Sequence, residues 1–368
     1  MAEGFKERYF KKNKWTLHCE VITPMFLGNA SQQAEWRAEP FKGLLRYWWR
    51  IAQPSRGAMD IGCKDLLKSE AELFGAAGED DGVGGKSKIE VSIVSDSVFS
   101  PSKQFEHNEK ITHPETTFKP GSLSYLAGMG LIGKDGTNTS FFPEGSSFQL
   151  TLQSPKSLVE QLETTLALLQ TFGTIGGRSR NGWGSFRIDR GGLEKESVLS
   201  ALKNCTVKWQ QGFTKDYPNC LGKDEKGPLI WLTQEPRSDW QGAMTDLAET
   251  YIQLRAGVSE NGIKKLDPNN GERHLLGIPL MHHNQLAGGK RIHTDRHASP
   301  LRLLVRKLNG KFVGFFLHVP HQFAKPPTGN NCQQIMSVGE QLNIWEQKIH
   351  KKLDGMNKLK RASYGELL

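Results

Sequence analysis

The chain has 368 residues, enough for two domains with a core each, and 37% apolar and 24% charged residues are typical of a globular protein. A formal net charge of +9 favours a polyanionic partner, with nucleic acid ahead of an anionic membrane. No apolar run is long enough for a membrane span, and the first residues lack a secretory signal. The five scattered cysteines never form CxxC, which favours a reduced, cytoplasmic chain.

Apolar periodicity along the first half predicts a ferredoxin-like unit. Strands are predicted over 14–24, 87–96, 146–153 and 183–188. Helices are predicted from Phe41 after Pro40, over 64–75 closed by Gly75, and over 157–172 capped by Ser157. The order β-α-β-β-α-β is that of the ferredoxin-like fold, and the insertion at 95–146 is long enough to be functional or mobile.

The second half repeats this pattern in a weaker form after a charged, loop-like connection over 191–226. A strand is predicted over 227–236, a helix over 238–257 that begins near Ser238 or Asp239, and an amphipathic helix over 333–353. A hairpin is predicted over 300–320, with Asn309-Gly310 as a type I′ turn. No final strand is evident. The predicted fold class is therefore α+β, with two ferredoxin-like (RRM-like) domains in tandem, 1–190 and 191–368, the second diverged.

The segment 173–185, the glycine loop, contains five glycines around Arg178 and Arg180. Glycines let a backbone approach a ligand and expose N–H groups to phosphate, arginine adds bidentate contacts, and Trp183 could stack on a base or pack inward. No GxxxxGK[ST] is present, which excludes a P-loop. Two interpretations stay open: a phosphate cradle, or a turn that needs positive φ angles and leaves two arginines solvated.

The first helix carries a basic stripe. At about 100° per residue, Lys42, Arg46 and Arg50 share one side, opposite an apolar side that includes Trp48. Trp49 falls at the border, so we expect Trp48 in the core and Trp49 partly exposed beside the cations. No acidic residue lies between Glu39 and Asp60, which favours a binding surface over an ordinary solvated face.

Other segments give weaker signals. The segment 273–307 has seven Lys/Arg, five His and one Asp, and its basic character favours a surface that faces phosphate, with Arg296 as a candidate contact. It lacks a cysteine pair or HExxH, so no metal is expected at His282, His283, His293 and His297. The "GMGLIG" at 128–133 is not a dinucleotide fingerprint, because no clear strand precedes it and turn sequence follows.

No constellation for catalysis emerges from the sequence. There is no paired nucleophile and base, and His18 is the only histidine near the motifs of the first half. We expect no catalytic residue and no cofactor, although aspartates in the insertion or the second half could act with a metal. Two alternatives stay open: a metal-independent endoribonuclease that processes repeat RNA, and a mainly structural protein that holds its neighbours through the insertion and the last helix.

Two sequence blocks resemble a known family. "GGRSRNGWGS", between a helix and the last strand of the first unit, resembles the G-rich loop of the RAMP superfamily of CRISPR-associated proteins. The block "ITPMFLGNASQQAEWRAEPFKGLLRYWWRIA" is similar to the family of first subunits of the type III-B CRISPR Cmr effector complexes, as are "AELFG" and "RHASPL".

The resemblance implies a non-catalytic RNA-binding subunit with two RAMP-type domains, located toward the 3′ part of the guide RNA. It would help bind target RNA in antiviral defence, with guide RNA, target RNA and other Cmr subunits as partners and no membrane. The implied RNA contacts are Arg37, Lys42, Arg46, Arg50, Arg178, Ser179, Arg180 and Asn181. Trp49, at the border of the basic stripe, is a further candidate RNA contact. The processing endonucleases of the superfamily use a histidine near the first helix, which this chain lacks, and its second half has no equivalent glycine-arginine loop.

Overall fold

The computed structural model describes residues 12–56, 60, 62–76, 85–95, 102, 108–128, 130–133, 136–259, 262–268, 271–277, 298–322 and 336–368. Two four-stranded antiparallel sheets with helices packed against them form the body of this part of the chain. The predicted α+β class is confirmed. No helix in the described ranges is both long and apolar enough to cross a membrane.

The first sheet contains β1 (Lys12–Val21), β2 (Glu90–Ser95), β3 (Ser147–Pro155) and β4 (Phe186–Arg190) in the order β2-β3-β1-β4. Alternation in β1 buries Leu17, Cys19 and Val21 on the face that carries the helices. These helices are α1 (Ala38–Ala52), α2 (Gly62–Phe74) and, after α3 (Ser122–Ala127) of the insertion, α4 (Val159–Phe172).

Two predicted helix starts are wrong by a few residues. The first helix begins at Ala38. Arg37, the residue before it, has an extended backbone (φ −132°). Ser157 does not cap α4: it lies in a 3₁₀ turn, Lys156–Leu158, and the residue before α4 is Leu158, which makes no side-chain cap bond. The chain leaves β3 at Pro155 and tightens into this turn before the α-helical bonds begin.

The connection over 191–226, predicted to be loop, contains regular structure. The helix α5 (Lys195–Cys205) buries Val198, Leu202 and Cys205. A small sheet follows from Thr206–Lys208, Leu221–Asp224 and Gly227–Pro228, with a helical turn at Gln211–Thr214 between its first two strands. A second small pair, Ile132–Gly133 with Gly136–Thr137, lies in the insertion. These strands are too short to show a periodicity in the sequence.

The second four-stranded sheet contains β5 (Ile230–Thr233), β6 (Leu301–Leu308), β7 (Lys311–His318) and β8 (Leu359–Arg361) in the order β6-β7-β5-β8. Counted along the chain, this is the strand order of the first sheet. The strand β8 is the one that the sequence did not reveal, since it has only three residues. The predicted hairpin turn is confirmed by the positive φ angles of Asn309 (50°) and Gly310 (75°).

Two helical segments cover one face of the second sheet. The helix α6 (Trp240–Ala256) begins at Asp239, whose carboxylate accepts a hydrogen bond from the backbone N–H of Gly242 at 2.8 Å, as the sequence predicted. The helix α7 (Val338–Ile344) continues through a π-helical turn (Trp345–His350) into α8 (Lys351–Asp354). The described part of the insertion packs on α6, where Ser122 Oγ and Thr245 Oγ1 are 2.9 Å apart.

The strand β6 joins the two halves because both of its faces are buried. Leu301, Leu303 and Val305 belong to the core beneath α6, whereas Leu304 belongs to the core shared with α1 and α4. Period-two alternation places Arg302 and Arg306 on the same face as Leu304, toward the first half. The sheet of the second half is therefore packed between its own helices and those of the first.

Candidate nucleic-acid interface

A cleft of about 440 Å³, here called the basic cleft, lies among the predicted site residues. It is lined by the segment after β1, by α1, by the glycine loop and by β6. Three guanidinium-bearing residues line it: Arg37, Arg180 and Arg302. Ser179 and Tyr47 also line it, and none of the lining residues in the described ranges is a carboxylate or a histidine. The cleft is therefore suited to an anion.

The glycines of the glycine loop are required by its backbone. A Cβ atom on Gly184 (φ +63°) would lie 1.8 Å from the carbonyl oxygen of Ile175, and one on Gly176 (φ +93°) would lie 2.5 Å from that of Phe26. Gly177 N donates to the same Phe26 oxygen at 2.8 Å. These glycines let the loop fold tightly against the segment after β1, so the structural interpretation of the glycines is correct.

The loop is also hydrogen-bonded to the second half. Leu303 N donates to the carbonyl oxygen of Arg180 at 2.8 Å, and Gly182 N donates to that of Leu303 at 2.9 Å. Arg180 Nη1 donates to the carbonyl oxygen of Ser299 at 2.6 Å, and its guanidinium lies 5.5 Å from the ring centroid of Tyr47. Arg180 is thus held in place at the wall of the basic cleft and is not an arginine free in solvent.

The other loop candidates differ in what they contact. Arg178 is exposed and adopts φ +56°, and its guanidinium lies beside Gly128, where a Cβ atom would be 3.1 Å from Nη2. The "GMGLIG" segment therefore leaves room for this side chain, a role that the sequence did not indicate. Asn181 Nδ2 donates to the carbonyl oxygen of Leu126 at 2.9 Å, which anchors the loop to α3.

The basic stripe of α1 is partly neutralised by a buried acid from α2. Arg46 Nε lies 2.9 Å from Glu70 Oε1, and Arg50 Nη1 lies 2.6 Å from Glu70 Oε2. The lack of acidic residues between Glu39 and Asp60 therefore does not leave the stripe unpaired, because an acid from the next helix reaches it. Lys42 makes no ion pair with another described residue, and burial together with the charge of Arg46 lowers its pKa.

Neither predicted tryptophan contact is available to a base. Trp49 is only 2% exposed, so its predicted partial exposure is wrong: α2 covers it, with the Phe74 ring edge-on at 6.1 Å between centroids. Trp48 lies in the core as predicted. Trp183 points inward, where it is buried against Phe26 at 5.4 Å between ring centroids.

Two arginines of β6 were not predicted from the sequence. Arg302 is 3% exposed, donates from Nη2 to Thr174 Oγ1 at 2.8 Å, and lies 5.0 Å from the ring centroid of Tyr47. Arg306 is also buried, and desolvation lowers its pKa to about 9. The signal was present in "LRLLVRKL", where two arginines share one face of an otherwise apolar strand.

The remaining predicted residues are outside the described part of the chain or do not line the basic cleft. Arg296 and the four histidines of the segment 273–307 considered for a metal lie outside the described residues. His18 is half-buried on β1 and is not a lining residue of the basic cleft. Within the part of the chain that the structure describes, no group of three or more His, Cys, Asp and Glu side chains could hold a metal ion.

Comparison with known proteins supports the family resemblance. A model of the RAMP superfamily matches residues 18–187. The CRISPR system Cmr subunit Cmr1-1 of Pyrococcus furiosus is 32% identical over 162 residues, which are 44% of this chain and 42% of that subunit. The matched region thus spans less than half the length of this relative.

Solved structures of such proteins are similar at a lower level. The crystal structure of apo Cmr1 from Pyrococcus furiosus has a TM-score of 0.49 and 21% identity, covering 85% of this chain and 90% of that one. A chain in the cryo-EM structure of the type III-B Cmr-β complex bound to cognate target RNA has a TM-score of 0.45 and 10% identity, covering 84% and 94%. The resemblance predicted from the glycine loop and the N-terminal block is confirmed: residues 18–187 match the RAMP superfamily, and the chain is similar to Cmr1 subunits.

Proposed function

We propose that this chain is a non-catalytic RNA-binding subunit of a type III-B CRISPR effector complex. In this proposal it acts in the cytoplasm, lies toward the 3′ part of the guide RNA and helps bind target RNA beside other Cmr subunits. One observation carries the RNA part: Arg37, Arg180 and Arg302 line one cleft, whose described lining has no carboxylate. Guanidinium groups that converge in this way are suited to the phosphates of a nucleic acid.

We also propose that the chain has two ferredoxin-like domains, 1–190 and 191–368. The common strand order of the two four-stranded sheets supports this division. The basic cleft then lies where the two domains meet, since Arg37 and Arg180 come from the first and Arg302 from the second. RNA binding would be tolerant of sequence, because phosphate contacts carry no base information and Trp49 and Trp183 are buried.

The predicted contacts have different expected roles on this proposal. Arg37 and Arg180 line the cleft and are expected to bind phosphate. Arg46 and Arg50 share the Glu70 carboxylate, so they offer a weaker field to RNA than two free arginines would. Lys42 and Arg178 stay candidates, and Asn181 is expected to act indirectly by anchoring the loop.

Two double variants test the proposal in a filter-binding titration with single-stranded RNA at several salt concentrations. We expect Arg37→Gln with Arg180→Gln to weaken binding at least tenfold and to reduce the slope of log K against log[salt] by about 1.4, which is about 0.7 for each phosphate that the variant no longer neutralises. The matched pair, Arg46→Gln with Arg50→Gln, removes the same charge and should have a smaller effect. If both double variants lose the same RNA affinity, binding depends on the overall positive charge of the surface and not on a defined cleft.

The alternative, a metal-independent endoribonuclease that uses His18, requires a histidine beside the RNA. Because His18 does not line the basic cleft, the geometry gives this alternative no support. Incubation with labelled repeat RNA in EDTA tests it directly. Site-specific cleavage that disappears in His18→Ala would overturn the non-catalytic part of the proposal.

A further inference from the structure

Arg302 is a buried cation without a counter-ion among the described residues. Its side chain lines the basic cleft although the residue is only 3% exposed. Within the described chain, Nη2 donates to the Thr174 hydroxyl at 2.8 Å, whereas Nε has no hydrogen-bond partner. Desolvation by burial and the positive charge of Arg180 lower the pKa of Arg302, whereas the hydroxyl group of Tyr47 acts in the opposite direction.

Such an arrangement is costly for a side chain that serves only the fold. A buried charge is normally paired, because a neutral hydroxyl does not offset the cost of removing a full charge from water. The aromatic faces of Tyr47 and Trp48, with centroids 5.0 and 5.4 Å from the guanidinium carbon, recover part of this cost. None of these contacts supplies a full negative charge to the guanidinium.

We propose that Arg302 binds an RNA phosphate directly, so that the RNA site is built from both halves of the chain and is incomplete without β6. This inference rests on the proposed function and adds a residue that the family resemblance did not indicate. It also gives a role to the second half, in whose sequence no equivalent of the glycine loop is evident. The second half contributes an arginine from a strand to the cleft formed by the first.

Phosphate is the expected ligand because of the number of cations that converge. A single carboxylate from a neighbouring subunit would carry one negative charge against Arg37, Arg180 and Arg302. Successive phosphates of a nucleic-acid strand supply one charge for each nucleotide and two unesterified oxygens for each guanidinium. A carboxylate remains the other outcome that the test must separate.

Arg306 provides a control on the same strand and the same face. It is buried like Arg302, but its guanidinium donates to the backbone oxygens of Thr171, Gly173 and Val305, and it is not a lining residue of the basic cleft. Arg306→Met therefore removes a buried positive charge of the same kind without removing a cleft cation.

The experiment measures binding of a fluorescent single-stranded RNA to the full-length chain over a series of KCl concentrations, with folding checked by circular dichroism. We expect Arg302→Met to weaken binding by about tenfold to a hundredfold, as for the loss of one charge-assisted hydrogen bond. The salt slope should fall by about 0.7, the value for one phosphate of a single strand. Folded Arg306→Met should keep the wild-type slope, because no cleft cation is lost, although the variant is less stable than the wild type.

A second measurement separates a binding role from a structural one. Without RNA, Arg302→Met should unfold at or above the wild-type temperature, because an uncompensated buried charge has been removed. RNA should raise the unfolding temperature of the wild type more than that of Arg302→Met. A variant that unfolds early, yet binds RNA with the wild-type slope when folded, would make Arg302 structural and overturn the inference.

The remaining outcomes separate this inference from the proposed function. Wild-type affinity and slope in Arg302→Met would overturn the inference and leave the proposed function standing. Loss of co-assembly with other Cmr subunits at unchanged RNA affinity would assign the anion to a protein carboxylate and overturn the RNA assignment. A folded wild type that binds no RNA at low salt would overturn both.

Discussion

Arg306 on β6 donates from Nε to the carbonyl oxygen of Thr171 at 2.7 Å, in the last turn of α4. The same guanidinium donates to the carbonyl oxygen of Gly173 at 3.0 Å, where the glycine loop begins. A positive charge at a helix C-terminus satisfies carbonyls that have no partner inside the helix and interacts favourably with the helix dipole. A strand of the second half thus caps the C-terminus of a helix of the first.

The first prediction concerns the stability that Arg306 provides. Arg306→Met should lower the free energy of unfolding by about 2–3 kcal/mol, because it leaves buried carbonyl oxygens without donors. Urea denaturation measures the change. Lys311→Met, at an exposed position of the β7 hairpin, is the control and should stay within about 0.5 kcal/mol of the wild type. If the two variants are equally stable, Arg306 does not hold the halves together.

The sequence predicted those parts of the fold that rest on local periodicity. Alternation marked β1, β2 and β3, the Asn309-Gly310 turn marked the hairpin of β6 and β7, and helical spacing marked α4. The strand β8 was missed because three residues show no period, and its pairing with β5 is set by tertiary contacts. The helix α5 was missed although its buried residues, Val198, Leu202 and Cys205, recur at helical spacing, because this short apolar set lies within a charged segment that was interpreted as a loop.

The candidate site was predicted less completely, because its electrostatics depend on contacts between distant residues. Glu70 lies twenty residues from Arg50, and no local pattern shows that its carboxylate accepts hydrogen bonds from two arginines of another helix. The angular positions of residues on α1 alone placed Trp49 at the border of the stripe. They could not show that α2 packs over this side chain. Arg302 enters the cleft only because β6 packs along the glycine loop.

A second prediction compares two glycines. Gly184→Ala should lower the free energy of unfolding by more than about 2 kcal/mol, because its Cβ atom would lie 1.8 Å from the Ile175 carbonyl oxygen at φ +63°. Gly43→Ala should raise it by about 0.5–1 kcal/mol, because Gly43 is exposed within α1 and a Cβ atom there would meet nothing within 4 Å. Thermal unfolding measures both. A destabilised Gly43→Ala would contradict the open space at that position.

A third prediction concerns Lys352, whose side chain is fully buried at the end of α6. Its ammonium donates to the carbonyl oxygens of Leu254 at 2.9 Å and Gly257 at 2.7 Å, and burial lowers its pKa to about 8. Lys352→Met should cost about 2–3 kcal/mol of unfolding free energy, since the helix C-terminus loses its donor. The neighbouring exposed Lys351→Met is the control. If chemical denaturation gives both variants the same free energy of unfolding, the contact of Lys352 with the end of α6 does not stabilise the fold.

The last prediction is a loss of stability in acid, caused by two buried histidines of the second half. His350 Nε2 lies 3.0 Å from His318 Nδ1, and His318 stacks on Trp345 with ring centroids 3.8 Å apart. Burial lowers the pKa of His350 to about 3 and that of His318 well below 6.5. The charges of His350, His321 and Arg361 oppose protonation of His318. Arg361 also opposes protonation of His350, whereas Asp354 favours it.

The sign follows from proton binding by the unfolded chain. Above about pH 6.5 both states hold these histidines neutral, so their contribution to stability is complete; as the pH falls, only the unfolded state takes up protons. Each histidine should then cost up to about 1.4 kcal/mol of unfolding free energy per pH unit. Urea denaturation between neutral pH and about pH 5 measures this slope, and His350→Gln should reduce it relative to the wild type. An unchanged slope in His350→Gln would assign the acid sensitivity to other groups.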